Sequence, residues 1–176
     1  MKSLQTIQKT FRIFQILTKI AMILSFVWAG LAALGMLCGI VWQSGGTVIG
    51  ADRELMLFLT GTGRLTEMNG ILLTDTVLAL TDGILFTFAL RYFKAEQADG
   101  TPFTHSGAEQ IKRLGILTVA LPLAAVILSA IVCAVFGLPH DAAGDRGDLT
   151  SAATGIVLIL ASLIFRYGAE LEEKRI

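Results

Sequence analysis

Charged side chains are scarce in four long stretches of this 176-residue sequence, although they make up 16% of it overall. The 14 lysines and arginines balance 14 aspartates and glutamates, so the formal net charge is zero. Direct nucleic-acid binding usually requires a basic excess, which this chain lacks. Apolar residues make up 54% of the sequence and its mean hydropathy is +0.71, values typical of an integral membrane protein.

Residues that bind metals or act in catalysis are also few. The two cysteines, Cys38 and Cys133, lie within apolar stretches and have no CxxC spacing. We expect both to pack as small apolar side chains, with a disulfide between them as the alternative. His105 and His140 fall on opposite sides of the membrane in the topology inferred below. With no GxSxG motif or phosphate-binding loop, the sequence predicts a non-enzymatic protein without metal or cofactor.

Four stretches are long and apolar enough to cross a bilayer, which takes about 20 helical residues. They cover residues 20–42, 71–93, 114–137 and 149–171. The sequence therefore predicts an all-α, four-helix transmembrane bundle forming one integral membrane domain over residues 1–176. Gly35 and Gly39 form a GxxxG motif in the first stretch. Small residues at this spacing let helices approach closely, so the motif predicts helix packing and offers a surface for homo-oligomerisation.

The placement of basic residues predicts an orientation. Eleven of the 14 lysines and arginines lie in residues 1–19, around the connection after the second apolar stretch, or near the C-terminal end. The other three lie in the first and third connections. Basic residues concentrate on the cytoplasmic side of a membrane, so both termini and the middle connection should be cytoplasmic. We thus expect a multi-pass protein of the bacterial cytoplasmic (inner) membrane, with the lipid bilayer as its first partner.

Two segments outside these stretches carry patterns of their own. Residues 1–19 repeat apolar side chains every three to four positions among basic ones, which indicates an amphipathic interfacial helix. It would lie on anionic lipid or, alternatively, dock a protein partner. The first outer connection, residues 43–70, is glycine-rich and contains one apolar run, Leu55–Leu59. This run predicts either a short strand or a segment dipping against the membrane, within a partly ordered loop.

Two carboxylates in the second apolar stretch are the strongest chemical signal. Asp75 and Asp82 are seven residues apart, which places them on one face of a helix. Acids within a span usually face a helix bundle or a wet cavity, so they form a candidate intramembrane polar site. Thr81 and Thr118 are candidate hydroxyl neighbours. The site would take a proton or a cation, or Asp82 would make an interhelical hydrogen bond that fixes the bundle. Asp75 would otherwise simply favour its helix N-terminus.

The middle connection combines a turn with basic flanks. Gly100 and Pro102 end one helix, and Ser106 lies three residues before Glu109 in a capping-box pattern that begins the next. A structural turn is one interpretation, and a docking surface for a cytoplasmic partner is the other. The residues of this candidate docking surface are Lys94, Gly100, Pro102, Phe103, Thr104, Lys112 and Arg113.

Two motifs resemble a known family. Gly100-Thr101-Pro102-Phe103-Thr104 precedes Lys112-Arg113-Leu114-Gly115, and Phe165-Arg166-Tyr167-Gly168-Ala169-Glu170-Leu171 closes the last apolar stretch. Together they resemble a family of small four-span bacterial membrane proteins, catalogued as a domain of unknown function, with a GxPFT cytoplasmic loop and a C-terminal FxYGxxL stretch. Members are often encoded beside a helix-turn-helix regulator of the Cro/repressor type. The resemblance implies a membrane partner for such a regulator.

Two classes of function follow. In the first, the chain is a non-enzymatic sensor or tether that holds a cytoplasmic helix-turn-helix transcription regulator and releases it on a signal. In the second, it is a small oligomeric transporter or channel that uses the intramembrane carboxylates Asp82 and Asp75.

Overall fold

The structure, a computed structural model, describes residues 2–99, 105–139 and 148–173. The described residues form helices and connections, with no strand among them, so the all-α fold class is confirmed. The five helices are α1 (Lys2–Gln43), α2 (Arg53–Thr60), α3 (Leu65–Asp99), α4 (His105–Phe136) and α5 (Asp148–Glu173).

Among the described residues, three helices are long and apolar enough to cross a membrane. These segments are Arg12–Gln43 of α1, Leu65–Ala95 of α3 and Gly107–Phe136 of α4, with mean hydropathies of 2.2, 1.6 and 2.7. In α5 the apolar part, Ala153–Gly168, is shorter. Many large apolar side chains on these helices are exposed, as a lipid-facing surface requires, since lipid rather than water covers them.

Helix α1 is continuous over 42 residues, so the backbone has no break at residue 19, where the interfacial helix was expected to end. The sequence explains this continuity because residues 2–28 contain neither glycine nor proline. The ring of Phe14 stacks on that of Phe93 in α3, with centroids 6.2 Å apart and planes 17° from parallel. The amphipathic start of the chain therefore packs, at Phe14, against another helix.

The apolar run of the first connection forms helix α2 rather than a strand. The Asp52 carboxylate accepts a hydrogen bond from the Glu54 backbone N–H at 3.0 Å, which caps the helix N-terminus. At the other end Gly61 adopts the left-handed conformation, with φ of 67°, and its N–H donates to the Phe58 carbonyl. These two caps explain why an eight-residue segment is helical here.

Helix α3 begins at Leu65, ahead of the apolar stretch expected from residue 71. The Met68 N–H donates to the Arg64 carbonyl at 3.0 Å, which closes the first turn. Met68 and Asn69 are fully buried, so packing of this first turn stabilises the earlier start. The apolar composition of the chain alone does not predict that α3 begins before residue 71.

The described residues divide into two compact units. The first unit comprises residues 2–23, 82–99, 105–122 and 148–173, and the second comprises residues 24–81 and 123–139. The core of the second unit is built on Ala32, Met68 and Leu72, with Met36, Trp42, Met56, Leu57 and Leu65 packed around them. In the first unit, Ala108, Ile111 and Ser162 are buried, and Gly115 of α4 meets Gly155 of α5.

Candidate functional site

Asp82 is exposed on α3, although a position facing other helices was expected. Among the described residues it makes no hydrogen bond or ion pair. The hydroxyls proposed as its neighbours bond within their own helices: Thr81 donates to the Val77 carbonyl at 2.9 Å, and Thr118 donates to the Leu114 carbonyl at 2.8 Å. This back-bonding satisfies hydroxyls in an apolar helix without a partner on another helix.

The four residues of the predicted polar site are divided between the two units. Asp75 and Thr81 belong to the second unit, and Asp82 and Thr118 belong to the first. Asp75 is half-buried and takes part in an interaction of its own. Within the described residues, the feature that stands out is thus a single carboxylate, Asp82, at the exposed surface of a candidate membrane span.

The GxxxG motif of α1 faces side chains of α2 and α3. A methyl group on Gly39 would overlap Asn69 Oδ1 and lie 2.6 Å from Met68 Cε. A methyl group on Gly35 would lie 3.0 Å from Met56 Cε and 3.1 Å from Leu72 Cδ1. The two glycines therefore let α1 approach the first turns of α3 within the second unit.

Asn69 is the polar residue at this contact, and the sequence patterns did not single it out. It is 1% exposed, and its Nδ2 donates to Gln43 Oε1 at 3.2 Å. Its Oδ1 has no hydrogen-bond partner in the described part of the chain and sits against Gly39. The available signal was an asparagine immediately before an apolar stretch, since a buried amide must find partners on a neighbouring helix.

Helices α4 and α5 form a groove in the first unit. A methyl group on Gly115 would lie 2.9 Å from the Gly155 carbonyl oxygen and 3.0 Å from the Ile159 backbone nitrogen, so the two backbones are in contact there. Towards the start of α4 and the end of α5, a groove of about 440 Å³ opens between them. Its lining residues are Ala108, Glu109, Lys112, Arg113, Ile116, Ser162, Leu163 and Arg166.

This groove holds most of the charge near the candidate docking surface. Arg113 donates to the Glu109 carboxylate at 2.7 Å, and both side chains remain largely exposed. Lys112 is exposed and makes no ion pair within the described residues, whereas Arg166 is exposed and takes part in an interaction of its own. Three cations against one carboxylate leave the lining with a positive excess. Sequence reasoning named Lys112 and Arg113 but missed Arg166, because the approach of α5 to α4 is a tertiary feature.

The remaining docking residues are only partly described. Lys94 is exposed near the end of α3 and belongs to the same unit as Lys112 and Arg113. Gly100, Pro102, Phe103 and Thr104, together with His140, lie outside the described residues. The described part of the predicted surface thus consists of three exposed cations.

The described residues contain few side chains suited to thiol or metal chemistry. Cys38 is half-buried and Cys133 is fully buried, and both are free thiols rather than a disulfide. Within residues 2–99, 105–139 and 148–173, no three His, Cys, Asp or Glu side chains are grouped so that they would hold a metal ion.

In the described part of the chain, three long apolar helices with exposed apolar surfaces define the class of protein. The chain is a multi-pass, all-α membrane protein. A comparison with family models, with curated proteins and with solved structures found no match.

Proposed function

We propose that this chain is a non-enzymatic sensor or tether of the bacterial cytoplasmic membrane. It crosses the membrane four times with both termini in the cytoplasm. Its cytoplasmic face holds a helix-turn-helix transcription regulator and releases it on a signal. The asymmetric distribution of basic residues supports the orientation, and the loop and C-terminal motifs support the regulator as partner through the family resemblance.

The observation that carries this proposal is that the helices are longer than a bilayer requires. Helix α3 has 35 residues, about 52 Å at 1.5 Å per residue, whereas the hydrocarbon core is about 30 Å thick. Its apolar part gives way to Arg91 and Lys94, and α4 starts with charged turns before Leu114. Charged helical ends at the membrane surface form a rigid platform suited to protein docking.

Aromatic contacts fix this platform to the N-terminal helix. The Phe93 ring stacks on that of Phe14 in α1, and its centroid is 5.4 Å from that of Tyr92, its neighbour in α3. Such pairs contribute about 0.5–1.5 kcal/mol beyond their buried area. The Phe14–Phe93 pair holds α1 against α3 near the exposed Arg91 and Lys94, which favours a defined docking face.

Site-specific photocrosslinking in native membranes tests the proposal. A benzophenone amino acid at Lys94 should capture a soluble protein that mass spectrometry identifies as carrying a helix-turn-helix domain. The matched control places the same amino acid at Ser44, an exposed residue in the first outer connection. Crosslinks from Lys94 to this chain alone, or equal capture from both positions, would remove the regulator from the proposal.

The second candidate function, a small oligomeric transporter or channel, is favoured by one observation. Asp82 exposes a carboxylate without a described partner on a candidate membrane span, and such acids often mark proton or ion pathways. Asp82→Asn removes the charge while keeping the shape. Transport predicts proton or cation flux in proteoliposomes that this substitution abolishes and that Asp75→Asn reduces. Absence of flux with the unmodified protein rules this candidate out.

A further inference from the structure

We infer that the groove between α4 and α5 is a binding site for an anionic phospholipid. Lys112, Arg113 and Arg166 would hold its phosphate, and the exposed apolar side chains of Ile116 and Leu163 would contact its acyl chains. The inference rests on the membrane location of the chain and is independent of any captured regulator.

The level of the groove along the helices is the first argument. Lys112 and Arg113 are the last charged residues of α4 before its uncharged stretch, and Arg166 is the first after the uncharged part of α5. The two helices therefore pass from polar to apolar composition beside the same groove. A phospholipid has the same order, with a charged headgroup next to its acyl chains.

The two exposed apolar side chains in the groove, Ile116 and Leu163, are the second argument. Ile116 lies one turn beyond Lys112 towards the apolar stretch and is 48% exposed. Leu163 lies one turn from Arg166, also on its apolar side, and is 56% exposed. On both helices, a cation therefore lies one turn from an exposed apolar side chain. A free inorganic anion would contact only the cations, whereas a phospholipid would contact both kinds of side chain.

The charge and the volume of the groove are the third argument. The lining has three cations and one carboxylate, and Glu109 is already engaged with Arg113. A phosphate oxyanion accepts charge-assisted hydrogen bonds from such side chains, and basic pockets between membrane helices bind lipid headgroups. The volume of about 440 Å³ suits a small ligand, since such sites measure about 300–1,000 Å³.

Helices α4 and α5 are in backbone contact at Gly115 and Gly155, and the groove opens from that contact towards the start of α4 and the end of α5. The small side chains of Ala108 and Ser162 are buried at its base, where the Ser162 hydroxyl donates to the Ile159 carbonyl at 2.6 Å. The Ser162 hydroxyl at the base of the groove is therefore already hydrogen-bonded inside α5. The cations on the rim then provide the recognition.

Native mass spectrometry of the detergent-solubilised full chain provides the test. The protein is titrated with phosphatidylglycerol and, separately, with phosphatidylcholine of the same acyl chains. We expect phosphatidylglycerol to be retained and phosphatidylcholine to be lost at equal activation energy. The double variant Lys112→Gln/Arg113→Gln should weaken phosphatidylglycerol binding by roughly tenfold or more. Arg166→Gln alone should weaken it by about fivefold.

The matched control is Arg53→Gln/Arg64→Gln, which removes the same charge from exposed residues that do not line the groove. Unchanged binding in this control, with unchanged helical circular dichroism in every variant, supports a localised site. Equal weakening in both double variants overturns it in favour of diffuse charge attraction. Equal retention of the two lipids overturns it as well. If inorganic phosphate at millimolar concentration displaces the lipid, the groove is a free-anion site and the lipid assignment is wrong.

Discussion

Gly39 and Gly30 lie on the same helix, and their surroundings differ completely. A methyl group on Gly39 would collide with the Asn69 amide and with Met68, whereas a methyl group on Gly30 meets nothing within 4 Å. The cost of adding one carbon therefore depends on the face that the glycine occupies.

We expect Gly39→Ala to destabilise the protein by about 1–3 kcal/mol, since the buried Asn69 side chain must move away from α1. Gly30→Ala should instead be neutral or stabilising by up to about 1 kcal/mol, because alanine favours the helix. Unfolding in mixed detergent micelles, followed by circular dichroism, measures both. The double variant Gly39→Ala/Asn69→Ala should recover part of the loss. A Gly39→Ala variant as stable as Gly30→Ala would contradict the close contact.

The same residues show which contacts between helices a sequence pattern does not predict. The GxxxG spacing of Gly35 and Gly39 indicates a close approach, but the identity of the opposing residue depends on the register of two helices. Asn69 was therefore not foreseen. Asp82 illustrates the same limit, because its spacing from Asp75 defines a shared helix face without saying whether that face meets protein or the surroundings. The structure places Asp82 on the exposed surface.

Helix α2 is the element that departs most from a simple connection. Its Met56 and Leu57 pack against the core of the second unit, whereas Leu55, Phe58 and Leu59 are 54%, 80% and 68% exposed. These three positions share one face at helical spacing. An exposed apolar face on a short helix beside a membrane span is typical of a segment that lies at the lipid interface.

We predict that the Phe58 face of α2 lies in the lipid interface. A spin label at Phe58→Cys, in a Cys38→Ser/Cys133→Ala background, should be relaxed more by oxygen, which partitions into lipid, than by a water-soluble nickel chelate. The comparison position is Glu54→Cys, exposed in the first turn of the same helix, where the chelate should relax the label more strongly. Equal chelate accessibility at both positions would show that α2 faces water.

How far elements are predictable depends on the length of the pattern. The long apolar stretches within α1, α3 and α4 follow from composition, because an uncharged run of about 20 residues has few folds open to it. The run at Leu55–Leu59 is too short for its period to separate strand from helix, and the Asp52 and Gly61 caps decide the outcome. The continuity of α1 does not follow from the pattern for a different reason, since the change of composition at residue 19 does not coincide with the end of a helix.

The whole molecule raises the question of how many times the chain crosses the membrane. The apolar part of α5 is shorter than those of α1, α3 and α4, yet α5 has 26 residues, about 39 Å of helix. An even number of spans puts both chain ends on one side, and an odd number separates them. Reporter fusions distinguish these two arrangements.

We expect green fluorescent protein fused after Ile176 to be fluorescent, because this reporter folds in the cytoplasm. Alkaline phosphatase inserted after Gly46 should be active, because this enzyme needs the oxidising exterior to form its disulfides. The two reporters exchanged between these positions should both be silent. If the C-terminal fluorescent fusion were dark, the C-terminal phosphatase active and the Gly46 phosphatase still active, the chain would have three spans and α5 would lie outside the membrane.

The burial of Cys133 has a kinetic consequence. This thiol is fully enclosed in the second unit, while Cys38, in the same unit, is half-buried. Alkylation by a membrane-permeant maleimide requires solvent or lipid access, so Cys133 reacts only when its surroundings open. The ratio of the two alkylation rates reports how often that unit opens without any engineered probe. A ligand, lipid or partner that tightens or loosens it will change the ratio in native membranes.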